Sequence, residues 1–382
     1  MVKKSLVMVV RVLWNGGVAR VAIEEQKKFL EMGIKSTLYF LKDVGSSYIL
    51  PQNTIVLNAH SDRSNILGKI FTSLTGLFAG HRGKGATVDV DYIFSIVPNL
   101  ITNNYILFHD QWSALSGIVL KVFGKRYGIL FHEFFRRPPG MSFKSPLNIL
   151  ALFYDLMSIK LASYVIVTSE YNYKIVHKFN KHTILARIGF PTPIPLTAIE
   201  NKFINKKKRI ISISMWEKGR KPDFYADLAK ALPNMDFILA GSWAIAEEES
   251  EFRAKYSSLA NLQITGKISE EQRSDLLRKS HFYIRLGYNE RGPGMGGLEA
   301  MSYGVIPIAN RQLGINEIIE SSRTGFIIDE PFLNSAVSIL NDLNSRDPDE
   351  LKEISKNCLY ICEKYSWKDN AEKIWSTIQK YS

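Results

Sequence analysis

The chain has 382 residues, 46% of them apolar and 23% charged, which describes a folded globular protein long enough for two domains with separate cores. Its most hydrophobic stretch, residues 147–167, is interrupted by Asp155 and Lys160, so a membrane-spanning helix is not expected. The net charge of +12 falls entirely in one half, since residues 1–190 carry 23 Lys and Arg against 11 Asp and Glu, whereas residues 191–382 carry 26 of each.

Such asymmetry points to an anionic partner for the first half, either a surface of acidic lipid or a phosphate-bearing acceptor, beside the plainer reading of a basic cytosolic protein. The first five residues run straight into a strand without a signal-peptide cleavage pattern, so the expected location is the cytoplasm, with peripheral contact at the inner face of the cell membrane as its extension.

In chain order, residues 6–10 read as a strand and 11–17 as a loop. An amphipathic helix over 18–32 follows, aligning Val18, Val21, Ala22, Phe29 and Met32 and stopping at Gly33. Further strands are expected at 36–40, 92–97, 104–108, 127–131 and 164–167, a rhythm that gives a parallel sheet covered by helices. The proline-rich run 191–195 and the basic run 202–209 read as an interdomain linker. Beyond it come strands at 210–214, 236–240 and 262–265, a helix over 222–231, and a second helix opened by the capping box of Ser269 and Gln272. Cys358 and Cys362, four apart in a helical segment, read as face packing rather than as a redox or metal pair. Residues 134–144 and 66–78 mix aromatic or apolar side chains with cations, and read either as interfacial surface or as core.

The chemical centre lies at 285–309. Residues 282–284 read as a short buried strand, 292–297 as a loop whose side chains have been deleted at Gly292, Gly294, Gly296 and Gly297, and 298–303 as a helix closed by Gly304. Glycines let backbone N–H groups crowd a bulky anion, and a helix start adds roughly half a positive charge, so a phosphate or diphosphate is the natural occupant. Glu299, placed in the first turn, then reaches a neighbouring ribose hydroxyl. Gly16 and Gly17 form a second glycine loop before the first helix; it is not the GxGxxG fingerprint, and no acidic residue follows the second strand where a nicotinamide dinucleotide would require one. The seven histidines show no metal-ligand spacing and no paired aspartates follow a strand, so no metal is expected.

The order Gly297, Leu298, Glu299, Ala300, Met301, then Gly304, Val305 and Pro307, resembles the signature of the family-four retaining glycosyltransferases. The resemblance implies the α/β GT-B fold: two doubly wound Rossmann-like domains facing each other across a cleft. Residues 1–195 would form the acceptor-side domain, 196–365 the nucleotide-sugar domain, and 366–382 a helix crossing back to the first. It also implies transfer of a hexose from a nucleotide sugar to a hydroxyl of a lipid-linked, glycan or small-molecule acceptor, with the anomeric configuration kept. The nucleotide sugar is then a substrate, no cofactor or metal is expected, and nucleic acid is not a partner.

Carried over residue by residue, the resemblance puts Gly294, Met295, Gly296, Gly297 and Leu298 on the donor phosphates and Glu299 on the ribose. Counting back over seven variable residues from Glu299 lands on Arg291, one past Glu290. Either Arg291 is a loop insertion that leaves Glu290 on the hydroxyls of the donor sugar, or Arg291 has replaced that glutamate. The family's arginine and lysine that neutralise the diphosphate match only in part. Lys218, Arg220 and Lys221 must supply the charge, with Lys218 or Arg220 in the lysine's place. Gly16 and Gly17 resemble the loop facing the sugar diphosphate, His132 the histidine touching the transferred sugar, His109 and Asp110 an acceptor-side loop, and Gly241 and Ile268 the loops around the base. His132 also reads as an ordinary buried histidine, and the basic cluster as a solvated turn. Two other functions stay open: a nucleotide-sugar epimerase on the same fold, and a basic binder of membranes or polyanions with a decayed sugar site.

Overall fold

Strands buried on both faces read as near-continuous apolar runs, and β1 (Leu6–Leu13) is one: every residue but Arg11 is buried. The computed structural model describes residues 5–14, 16–57, 96–111, 113–132, 146–204, 207–286, 294–311 and 314–382. It divides into two compact units, one formed by Met1–Ile188 with Trp367–Ser382, the other by Gly189–Ser366.

In the first unit, β1 is followed by α1 (Gly17–Glu31), β2 (Ser36–Asp43), β3 (Thr54–Val56), α2 (Val97–Ile101) and β4 (Tyr105–Phe108). Next come α3 (Ser116–Val122), β5 (Gly128–Phe131), α4 (Pro146–Leu161), β6 (Tyr164–Val167), α5 (Glu170–Val176) and β7 (Thr183–Leu185). The seven strands among the described residues form one parallel sheet in the order β3-β2-β1-β4-β5-β6-β7. Of the strand expected at 92–97, residues 92–95 lie outside the described residues, and Val97 instead opens α2. Pro98 sits in that first turn, where its missing N–H costs nothing. The helix Trp367–Tyr381 completes this unit: Ala371, Ile374 and Ile378 are buried in one cluster with Leu6, Ala19, Phe29 and Leu38, and Trp375 meets Tyr105 edge-on at 5.3 Å.

The second unit runs β8 (Arg209–Ile213), α6 (Pro222–Ala231), β9 (Asp236–Ala240), α7 (Ala246–Lys255), β10 (Leu262–Gly266), α8 (Glu270–Lys279) and β11 (Phe282–Arg285). Then follow α9 (Met295–Ser302), β12 (Ile306–Asn310), β13 (Phe326–Ile328), α10 (Phe332–Ser345) and α11 (Pro348–Lys364). Its six strands among the described residues are again parallel, in the order β10-β9-β8-β11-β12-β13.

Where it is described, the basic run 202–209, expected as part of an interdomain linker, belongs to the second unit. Lys202 is half-buried and donates to the carbonyls of Tyr303 at 2.8 Å and Leu277 at 3.3 Å, and desolvation lowers its pKa to about 7. Lys208 donates to Phe203 O at 2.6 Å, with Ile199 and Phe203 buried beside it. Two carbonyls at helix ends give the Lys202 ammonium what water would otherwise supply. Cys358 and Cys362 are both buried in α11, their thiols directed at Thr324 O and Cys358 O, and burial pushes both thiols up in pKa. Among the described residues no helix is long and apolar enough to cross a membrane.

Candidate functional site

In an open parallel sheet, loops diverge where the strand order reverses, leaving a crevice outside the carboxyl ends of the two strands flanking that point. In the second unit the reversal falls between β8 and β11. The loop leaving β8 is fixed against the loop leaving β9: Ser214 N donates to Ala240 O, Trp216 N to Ser242 O and Ala244 N to Trp216 O, at 2.8–3.0 Å. The buried Trp216 indole pins the same place through Nε1 to Ala240 O at 3.0 Å. Between them stands Gly241, at φ +116°, where a Cβ would lie 1.9 Å from Ser214 O. No side chain fits, so the close approach of the two loops depends on glycine.

At the other side of the reversal, α9 starts at Met295, three residues before the expected position, because Gly296 and Gly297 belong to the helix rather than to the loop. Gly294 caps it at φ +69°, open space lies where its Cβ would be, and its carbonyl accepts from the N–H groups of Gly297 and Leu298. The N–H groups of Met295 and Gly296 come before these first helical bonds and form the helix's positive end. A Cβ on Gly296 would meet the Tyr283 hydroxyl at 2.8 Å and one on Gly297 would meet Ile315 at 2.2 Å, so both glycines also serve close packing. Leu298 is buried. Glu299 lies in the second turn and not the first; it is mostly buried, with Arg273 Nη1 of α8 at 3.7 Å from its carboxylate. Ile268 packs against the cluster of Ile211, Ile238 and Tyr283 just before the Ser269 capping box.

The three cations after β8 do not converge. Arg220 turns inward, donating from Nη1 to Ser214 Oγ at 3.1 Å. Lys218 turns outward: its backbone N–H donates to Glu248 and its ammonium stands 3.7 Å from Glu251 on α7, largely exposed. Lys221 is exposed and holds a left-handed backbone, φ 51° and ψ 59°, immediately before Pro222 starts α6. The spacing could not reveal this divergence, since a short 3₁₀ turn over Lys218–Arg220 rotates successive side chains apart. Glu290 and Arg291 lie outside the described residues.

In the first unit, Gly16 caps α1 with its own amide donating to Trp14 O at 2.8 Å, and a Cβ there would strike the Trp14 ring at 2.4 Å; Gly17 is exposed as the helix's first residue. At the carboxyl ends of β4 and β5, His109 and His132 approach with ring centroids 5.9 Å apart. Asp110 accepts from Ser113 N and faces Arg11 Nε at 3.9 Å. Burial, with the Asp110 charge opposing it, lowers His132 to a pKa of about 4, and burial together with His132 lowers His109 well below its ordinary value. Both rings are thus held neutral at physiological pH.

A residue that the motifs left unmarked joins this cluster. Glu25 of α1 is fully buried, its carboxylate 3.4 Å from His109 Nε2, and burial raises it well above the usual carboxylate range. The signal for it was present, because Glu25 falls four residues after Val21 and four before Phe29, on the apolar stripe of that helix. Arg273 had no comparable signal, since a basic residue in a polar helix is ordinary. Among the described residues no group of histidine, cysteine and carboxylate side chains could hold a metal ion. The stretches 66–78 and 134–144 lie outside the described residues.

Residues 198–358 match the family model for glycosyl transferases group 1. Three solved structures resemble the chain over nearly its whole length. Anabaena HepE in complex with UDP and glucose is 14% identical over 99% of this chain and 100% of its own, with a TM-score of 0.75. Sucrose-phosphate synthase from Thermosynechococcus elongatus is 14% identical over 99% and 98%, at 0.71. The E. coli trehalose-6-phosphate structure bound with UDP-2-fluoro glucose is 13% identical over 99% and 100%, at 0.69. These likenesses establish the GT-B fold of two parallel-sheet units. No curated protein matches at the level of sequence.

Proposed function

We propose that this protein, whose residues 198–358 match the family model for glycosyl transferases group 1, is a retaining glycosyltransferase that moves a hexose from a nucleotide sugar to a hydroxyl of a lipid-linked or otherwise anionic acceptor. The observation that carries the donor half is the arrangement at the β8/β11 reversal, where the amides opening α9 stand next to two loops brought together at Gly241. Neighbouring structures on this fold hold UDP or UDP-sugar ligands, which supports the same donor class here.

In this reading the donor diphosphate takes the amides that open α9, those of Met295 and Gly296, with Gly294 and Gly297 leaving room for it, and Glu299 binds the ribose, with Arg273 steadying its carboxylate. Arg220 faces the leaving diphosphate; Lys221 adds charge from its exposed turn, and Lys218, directed at α7, contributes only at long range. Gly241 and Ile268 border the base, and Glu290 or Arg291 orients the sugar. His132 touches the transferred sugar, while His109 and Asp110 serve the acceptor. The acceptor hydroxyl attacks on the face the diphosphate leaves, and a diphosphate oxygen takes its proton. The chain's residues then supply placement and fixed positive charge rather than strong base catalysis. No metal is required in this scheme.

Calorimetric titration with UDP and GDP, paired with a turnover assay, tests it. Glu299→Ala should weaken nucleotide binding by about 1.5–3 kcal/mol, the range of a charge-assisted hydrogen bond. Glu290→Ala should lower turnover with nucleotide affinity retained, or Arg291→Ala should do so if arginine has taken that role. Three silent variants would refute the site.

A further inference from the structure

Helices on a soluble sheet bury their apolar side and show their polar one. On one face of the first unit two helices break this pattern, burying small or polar residues beside Leu120 and Ile159 while exposing large apolar ones. α3 buries Ser116 and Gly117 together with Leu120, Gly117 so tightly that a Cβ would lie 2.5 Å from the Tyr127 ring. The same helix exposes Ile118, Val122 and, at its end, Phe123. α4 likewise buries Asp155 and Ser158 while exposing Phe153 and Met157. Ile118 with Val122, and Phe153 with Met157, are each four apart, so each pair lies along one side of its helix. Val122 is 82% exposed and Phe153 60% exposed, well beyond the scatter of a single surface leucine.

The two helices flank a cavity of about 180 Å³, lined by Ile118, Tyr127, Phe153 and Met157 among others. Lys121, three residues after Ile118, stands over the Tyr127 ring at 5.7 Å. Lys160 follows Met157 by three on α4 and is exposed, and Lys125 and Arg126 come directly after α3. Residues 113–132 contain no carboxylate, and in 146–163 the only one is the buried Asp155. Among the described residues none of these four cations forms a salt bridge. An apolar pair flanked by an uncompensated cation, repeated on two adjacent helices, is complementary to a layer with acidic headgroups outside and hydrocarbon beneath.

We infer that the α3/α4 face docks onto an anionic phospholipid bilayer, with Val122, Phe123 and Phe153 entering the acyl boundary, Lys121 and Lys160 meeting headgroup phosphates, and the cavity receiving the end of an acyl chain. The surface deepens the proposed function and rests on it only for its purpose, which is to bring the first unit to a lipid-borne acceptor.

Cosedimentation of the full chain with phosphatidylcholine vesicles, with and without phosphatidylglycerol, tests the inference. Three proteins are compared: the wild type, Val122→Ser with Phe153→Ser, and Lys121→Glu with Lys160→Glu. Thermal melts confirm that the surface changes leave the fold intact. The wild type should bind the anionic vesicles and be released by salt, and each double variant should bind at least about tenfold more weakly. Val122→Trp should show a blue-shifted emission on anionic vesicles. Unchanged binding by the serine variant, or equal binding to neutral and anionic vesicles, overturns the proposal. So does a serine variant that turns a dimer into a monomer in sedimentation velocity while keeping its vesicle affinity, since the face would then join two copies of the chain. Nucleotide titration on the same samples separates the two readings: intact nucleotide binding with no vesicle binding defeats only the docking surface, and absent nucleotide binding defeats the donor site.

Discussion

Replacing Glu25 by leucine should stabilise the first unit. The carboxyl is fully buried, neither oxygen has a hydrogen-bond partner among the described residues, and its nearest polar neighbour is His109 Nε2 at 3.4 Å. Leaving such a group unsatisfied costs about 1–3 kcal/mol. Leucine fills a similar volume on the stripe that already holds Val21, Ala22 and Phe29. Part of the gain is lost because His109 then faces methyl groups, so a net stabilisation of about 1–2 kcal/mol is expected. For a unit of this size that raises Tm by roughly 2–8 °C. The sign of the pH dependence is also fixed. Burial raises the folded pKa of Glu25 above its unfolded value, so its contribution is fully present below the unfolded pKa and is lost as pH rises through the folded one. The advantage of Glu25→Leu should therefore shrink toward about pH 4.5 and grow toward neutrality. Scanning calorimetry of both proteins at mildly acid and neutral pH measures it. A variant that melts lower than the wild type, or an advantage independent of pH, would refute the reasoning.

Gly241→Ala should destabilise the second unit by at least the roughly 1–3 kcal/mol of a strained backbone, because φ +116° and the Ser214 carbonyl both exclude a methyl group; an unchanged melt would show that the paired loops can part freely. Arg220→Ala should lower turnover about 10²–10³-fold, as loss of a preorganised donor does, whereas Lys218→Ala should leave it nearly intact; the reverse order in a steady-state assay would return Lys218 to the site. A strong chelator should not change the transfer rate, and activity lost to it and restored by Mg²⁺ or Mn²⁺ would contradict the metal-free scheme.

Most of the second unit's framework could be read from residues alone. The strand at 236–240 appears as Asp236–Ala240, and the capping box at Ser269 and Gln272 closes with both of its hydrogen bonds, because apolar runs and caps are local signals. α9 starts three residues before its glycine run predicts, because glycine reads locally as loop while in the fold Gly296 and Gly297 are small for packing against Tyr283 and Ile315. Lys218 and Arg220 could not be separated by spacing, since their directions depend on Ser214 and on α7, thirty residues further on. Lys202 reads as linker because only tertiary structure brings it the carbonyls of Leu277 and Tyr303.

The discontinuity of the first unit bears on how the chain acquires its structure during synthesis. Helix Trp367–Tyr381 covers Phe29 and Tyr105, yet 178 residues, Gly189–Ser366, are translated between the body of that unit and its missing helix. At ordinary elongation rates of about 5–20 residues per second, the ribosome spends about 10–35 s on this insertion. Throughout that interval the aromatic groove awaiting Trp375 stands open, while the inserted unit, continuous in sequence, can close its own core first. Completion therefore runs opposite to translation, and a nascent chain stalled within α11 would expose the groove of the first unit to chaperones although every strand of both sheets had already emerged from the peptidyl-transferase centre.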